Sequence, residues 1–292
     1  MFIGEPPRNE YDLHFNCFGF PVRISGYFWL AAGVMGAMRL RGSGTSNDTG
    51  IQLISWIVSM FVSILIHELG HAFAMRYYGG GARIVLYMMG GLAIPDSSGF
   101  GSSSYGSSSY GGKSYGGKSD GGKSDGTVSR VVISLAGPFA GFALAGVVVG
   151  LIYAWGGSVT LEPRFPYFWN FIRPEQLVLS AKVTAINTFF NDMLDINILW
   201  GLLNLLPIYP LDGGQVSREL LVAKDYRSGI ENSLWLSVYT AGAVVVWGLY
   251  VASQSKNGGG MLMIMMFASL AYSSYQAIQQ MRGGGHGGGN PW

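Results

Sequence analysis

The sequence predicts an all-α polytopic membrane protein of about six transmembrane helices, with a small β-hairpin-like element at the cytoplasmic interface. Two observations carry that fold class. Of the 292 residues, 49% are hydrophobic and only 12% are charged, against roughly 25% charged in ordinary soluble domains. Six apolar stretches also approach the ~20 residues that cross a hydrocarbon core. They lie at 24–40, 51–75, 128–154, 190–206, 234–252 and 260–280. The small net charge of +2 gives no sign of a nucleic-acid partner.

Taken in order, residues 1–23 read as an N-terminal cytoplasmic segment. In the first twenty residues Glu5, Glu10, Asp12 and two prolines do not resemble a signal peptide, so the first helix is expected to act as the insertion signal. The core then runs over 24–254. It is interrupted by a Gly/Ser-rich stretch at 97–126, whose composition gains little from burial and reads as a flexible tether. Residues 82–95, apolar and broken by Gly90-Gly91, read as a strand pair. The aromatic, proline and arginine residues of 161–175 suit the extracytoplasmic interface. A last transmembrane helix occupies 255–280, and the Gly-rich tail 281–292 is expected to be disordered. The one cysteine, Cys17, allows no internal disulfide. With six helices, twelve of the eighteen Lys and Arg residues fall on the side of the termini. That bias places both termini in the cytoplasm under the positive-inside rule.

The chemistry is concentrated at His67-Glu68-Leu69-Gly70-His71. His-Glu-x-x-His puts two imidazoles one helical turn apart on one face, about 6 Å along the axis. This suits two ligands of a tetrahedral zinc ion (Zn2+), with Glu68 left free as a general base. The motif sits in a run, Ile51 to Met75, that is otherwise apolar except for small hydroxyls and Gln52. Ionisable groups at membrane depth are costly and are read as functional. Glu68 lies eight residues before Arg76, about 12 Å down the helix. The site is thus expected to be submerged yet within reach of cytoplasmic water.

A zinc site needs a third protein ligand, and Asp212 in Asn204-Leu-Leu-Pro-Ile-Tyr-Pro-Leu-Asp-Gly-Gly214 is the strongest candidate. Pro207 and Pro210 stop the helix and leave a non-helical turn, which at membrane depth must be buried or line a wet cavity. From there Asp212, followed by two flexible glycines, could point back at a metal. The rival reading makes Asp212 a turn-former or helix N-cap. His14 and His286 lie outside the spans and are not expected to ligate. Gly137-Pro138 reads as a packing and kink device. Asp192 and Asp195 are left outside the site.

HELGHA at 67–72, SLAGPFAG at 134–141 and NLLPIYPLDGG at 204–214 resemble, in that order, the motifs of the site-2 protease family of intramembrane zinc metalloproteases. The likeness spans about 51–220 and is to the compact members, since nothing resembles a PDZ or CBS domain. It implies His67, His71 and Asp212 as zinc ligands and Glu68 as catalytic base. It also implies a role for Asn204 in binding substrate or polarising the scissile carbonyl; a structural inter-helix hydrogen bond is the other reading of Asn204. It further implies substrates that are membrane proteins with a transmembrane helix, cut within the lipid bilayer, and a bacterial cell membrane as the location. The alternative is a non-catalytic membrane scaffold that binds metal or membrane segments, against which the intact Glu68 argues. A helical substrate must be unwound before it is cut, and strand addition along 82–95 would satisfy its freed backbone groups. Replacing Leu86 with proline is the test of that clamp which the sequence suggests.

Overall fold

The computed structural model describes residues 7–40, 49–88, 90–95, 126–161, 172–175, 183–226, 228–254 and 261–283. The tether at 97–126 falls outside them except for Gly126. So do residues 284–292 of the tail and 162–171 of the aromatic loop. Among the described residues seven helices and six strands follow in the order β1 (Leu13–Cys17), β2 (Phe20–Ile24), α1 (Gly26–Leu40), α2 (Thr49–Tyr77), β3 (Ala82–Tyr87), β4 (Gly90–Pro95), α3 (Gly126–Ala154), β5 (Ser158–Leu161), β6 (Ile172–Glu175), α4 (Val183–Asn204), α5 (Asp212–Lys224), α6 (Gly229–Gln254) and α7 (Met261–Gly283). Six of the helices coincide with the six expected spans. Among the described residues α2, α3 and α6 are long and apolar enough to cross a membrane unaided, and α1 is a shorter apolar helix. The protein is a multi-pass membrane protein.

Contacts divide the described chain into two compact units, with the boundaries inside α3 and α4. The first holds 7–95 and 136–201, the second 126–135 and 202–283. In the first, β1, β2, β3 and β4 form one sheet in that order. β1–β2 and β3–β4 are antiparallel, whereas β2–β3 is parallel, pairing Val22 with Ile84 and Ile24 with Leu86. The N-terminal segment, to which the sequence assigned no structure, thus supplies two strands. Phe20, Val22 and Ile24 bury their side chains, and a buried ion pair joins Arg23 to Asp12 at 3.3 Å. Arg76, in the last turn of α2, fastens the hairpin: its guanidinium donates to the Phe18 carbonyl at 3.0 Å and lies 3.6 Å over the Phe20 ring. In the same unit, α3 and α4 share an apolar core of Ala145, Val148, Ile152, Phe190, Met193 and Leu194.

Leu86 proves to be a fully buried residue of the interior strand β3 rather than of the edge, so proline there would break the sheet itself. Among the described residues β1 and β4 are the two edge strands of this sheet, and β4 is the one beside β3. Ser25 N–H donates to the Leu86 carbonyl at 2.8 Å, which turns the polar groups of Leu86 toward β2. Because successive residues of a strand alternate sides, Val85 and Tyr87 face β4, where they pair with Leu92 and Gly90. The backbone groups of Gly91 and Ala93 therefore point outward.

In the second unit, Ile208, Ala241 and Phe267 form the buried centre of a cluster between α6, α7 and the turn before α5. Helix α5, which hydropathy alone did not reveal, is the polar addition.

Candidate metal centre

His67, Glu68 and His71 occupy the third-from-last and second-from-last turns of α2, and all three are buried. The helical spacing brings His67 Nε2 to 3.2 Å from His71 Nε2, with the rings nearly perpendicular at 75°. Two nitrogens each ~2.0–2.1 Å from a tetrahedral zinc stand about 3.3 Å apart, so the observed spacing is that of a chelating pair. One turn earlier on the same face, Ser63 accepts a hydrogen bond from Asn197 Nδ2 at 2.8 Å, and the same amide donates to the Met193 carbonyl at 2.7 Å. This ties α2 to α4 directly beneath His67. The sequence reading missed Asn197; a polar residue in the apolar run of α4 was the available signal.

Asp212 is the first residue of α5. The residue before it, Leu211, has extended backbone and makes no side-chain cap, so the N-cap reading of Asp212 does not hold. The turn that delivers it is pinned: Tyr209 N–H donates to Ser237 Oγ at 3.0 Å, Gln215 Nε2 donates to the Pro210 carbonyl at 3.2 Å, and Ile208 is fully buried. The glycines after Asp212, expected to provide flexibility, instead provide closeness. Gly213 is buried, and a Cβ on it would overlap the Leu205 carbonyl.

His67, His71 and Asp212 each offer one ligand atom, and the three atoms lie within 4.8 Å of one another, all from buried residues. Among the described residues no other group of three His, Cys, Asp or Glu side chains gathers in this way. Two imidazoles and a carboxylate are a donor set that zinc takes readily. Asn204 is buried at the last turn of α4, eight residues before Asp212. Asp192 stays apart, accepting a hydrogen bond from Ser55 at 3.0 Å, about 18 Å along α2 from His67. His14 lies on β1, beside the Asp12 carbonyl at 3.1 Å. His286 is outside the described residues. Tyr87, at the end of β3, has its phenol held above its usual range by burial and, to a smaller extent, by the charge of Glu68.

A membrane-embedded His-Glu-x-x-His helix with a carboxylate ligand from a distant turn defines a membrane zinc metalloprotease. Residues 55–247 match the model of peptidase family M50, and the chain belongs to that family. A Bacillus subtilis protein named "Putative zinc metalloprotease YwhC" is 22% identical over 212 residues, covering 68% of this chain and 87% of that protein. The solved structure of the site-2 protease from Methanocaldococcus jannaschii shares the fold. Its TM-score is 0.50 at 18% identity, over 92% of this chain and 95% of that one.

Proposed function

We propose that this protein hydrolyses peptide bonds in or near the transmembrane helices of membrane-protein substrates, with zinc held by His67, His71 and Asp212. The observation that carries this is the buried group of two imidazoles and one carboxylate. Zinc in such a site supplies Lewis acidity, making a water acidic near neutral pH and polarising the carbonyl under attack. Glu68, inside the ligand turn and buried, is the general base. It takes a proton from the attacking water and returns it to the departing amine nitrogen. Asn204 is assigned to the substrate carbonyl, where its amide would donate to the developing oxyanion.

Substrate must present an extended backbone, and the outward groups of Gly91 and Ala93 on β4 are its natural partners. The position of β4 supports this, because Gly91 lies directly against the Glu68 side chain. The site opens to the cytoplasm, as the excess of Lys and Arg on the side of the termini indicates. The aromatic cluster of Trp235, Tyr239 and Tyr275 at the start of α6 and the end of α7, with the Arg282–Glu231 ion pair beside it, suits that interface.

The test compares wild type with Glu68→Gln in proteoliposomes carrying a single-span substrate. The reading expects full zinc content in both and cleavage by wild type alone, slower in Glu68→Gln by 100-fold or more, on the order of general-base contributions. Equal cleavage by Glu68→Gln would remove Glu68 from the reaction.

A further inference from the structure

Two glycines from different elements press against the His-Glu-x-x-His turn, and they press on different atoms. A Cβ on Gly137 of α3 would overlap His71 Nε2 and stand 2.6 Å from Cε1 and 2.7 Å from Cδ2 of the same ring. A Cβ on Gly91 of β4 would overlap Glu68 Cγ and stand 2.5 Å from Oε1 and 2.6 Å from Cδ. Neither of the ligand imidazoles is among the atoms that meet Gly91 most closely, and the Glu68 carboxylate is not among those that meet Gly137. The backbone of α3 gives no slack to absorb the difference. One residue earlier, Ala136 already lies so close to α2 that a Cβ on Gly70 would overlap its carbonyl oxygen.

We propose that Gly137 and Gly91 are positioning residues for separate halves of the site, Gly137 seating the metal-ligand ring of His71 and Gly91 seating the base Glu68. This rests on the roles proposed above for His71 and Glu68. Non-bonded carbon contacts settle at about 3.5–4.0 Å, so a methyl at 137 drives the imidazole back by about 1 Å. A metal ligand keeps its place to within ~0.2 Å. His67 Nε2, 3.2 Å away on the same helix, blocks retreat along α2. The ring must therefore turn, and its nitrogen leaves the chelating position. A methyl at 91 turns the Glu68 carboxylate instead and leaves the two imidazoles where they are. The Gly-Pro motif of α3 is then a seat for a ligand as well as a kink, and the glycine pair of β4 a seat for the base as well as a turn.

The experiment measures zinc affinity, kcat and KM for detergent-purified Gly137→Ala and Gly91→Ala. Gly146→Ala serves as the α3 control, since nothing lies within 4 Å of a Cβ there. The expectation is a 100-fold or greater loss of zinc affinity in Gly137→Ala only. Gly91→Ala should keep wild-type zinc affinity and lose kcat by 10-fold or more. Stability of the metal-free protein supplies a second measurement that needs no activity. If the His71 ring is what a methyl at 137 meets, the drop in unfolding midpoint caused by Gly137→Ala disappears when His71 is already alanine. The matching cycle pairs Gly91→Ala with Glu68→Ala. An undiminished drop in the His71→Ala background, or wild-type zinc affinity in Gly137→Ala, would overturn the assignment of Gly137. Loss of zinc in Gly91→Ala would overturn that of Gly91. A wild type that itself holds no zinc would instead refute the proposed function, so the two failures are distinguishable.

Discussion

Replacing Ala93 with proline tests how the protease holds an unwound substrate. Residue 93 is on the edge strand β4 and its neighbours Leu92 and Ile94 make the ladder bonds to β3. Proline at an outward-facing edge position removes one N–H without breaking the sheet. If substrate pairs with this edge, the loss is one backbone hydrogen bond, about 0.5–1.5 kcal/mol. At about 1.4 kcal/mol per tenfold that is roughly a 2- to 12-fold fall in kcat/KM, more if the ring also obstructs the incoming strand. The assay is initial cleavage rate of a single-span substrate in proteoliposomes, with zinc content and unfolding midpoint measured on the same preparation. A fall in rate with both controls unchanged supports strand addition. Cleavage within experimental error of wild type, in protein that is folded and loaded, would refute it.

Other consequences can be checked independently. Asn197→Ala removes the amide that joins Ser63 to the Met193 carbonyl, leaving Ser63 buried with a poorer partner; it should cost about 1–3 kcal/mol in reversible unfolding and weaken zinc binding less than loss of a ligand does. Arg76→Ala should loosen the β1–β2 hairpin by about 1–2 kcal/mol, from one hydrogen bond and one cation–π contact, and limited proteolysis should then cut first near Phe18. Chelation of zinc should abolish cleavage, and added zinc should restore it in wild type but not in Glu68→Gln. The Tyr87 phenol, its folded-state value raised, should stay neutral beyond the usual tyrosine range near pH 10. Its stabilising contribution is complete below that pH and lost as pH climbs through the raised value. An ultraviolet titration of wild type against Tyr87→Phe should show one late-ionising tyrosine.

Much of this was legible in the sequence for a physical reason. Spans announce themselves by length and hydropathy, and a metal-ligand pair at i and i+4 is local, so His67 and His71 needed only the helix. Asp212 could be singled out because two prolines mark an irregular turn, although its rival role as an N-cap fell only when Leu211 was seen in that position. What stayed hidden is what depends on distant pairing. No local pattern tells that β2 lies parallel to β3 across some sixty residues, or that Leu86 is therefore interior and Ala93 at the edge. Helix α5 is too polar to register as a span. Gly137 read as a kink because a sequence shows its missing side chain but not the His71 ring that fills the space.

What surrounds the metal decides whether this protein works as a zinc protease. Zinc X-ray absorption on purified wild type and Asp212→Ala would read it. The expected result is about one zinc per wild-type chain, with two imidazole nitrogens and a carboxylate oxygen at ~2.0–2.2 Å, and a weakened or empty site in Asp212→Ala. A wild type without zinc, or an Asp212→Ala protein with unchanged occupancy and spectrum, would contradict it.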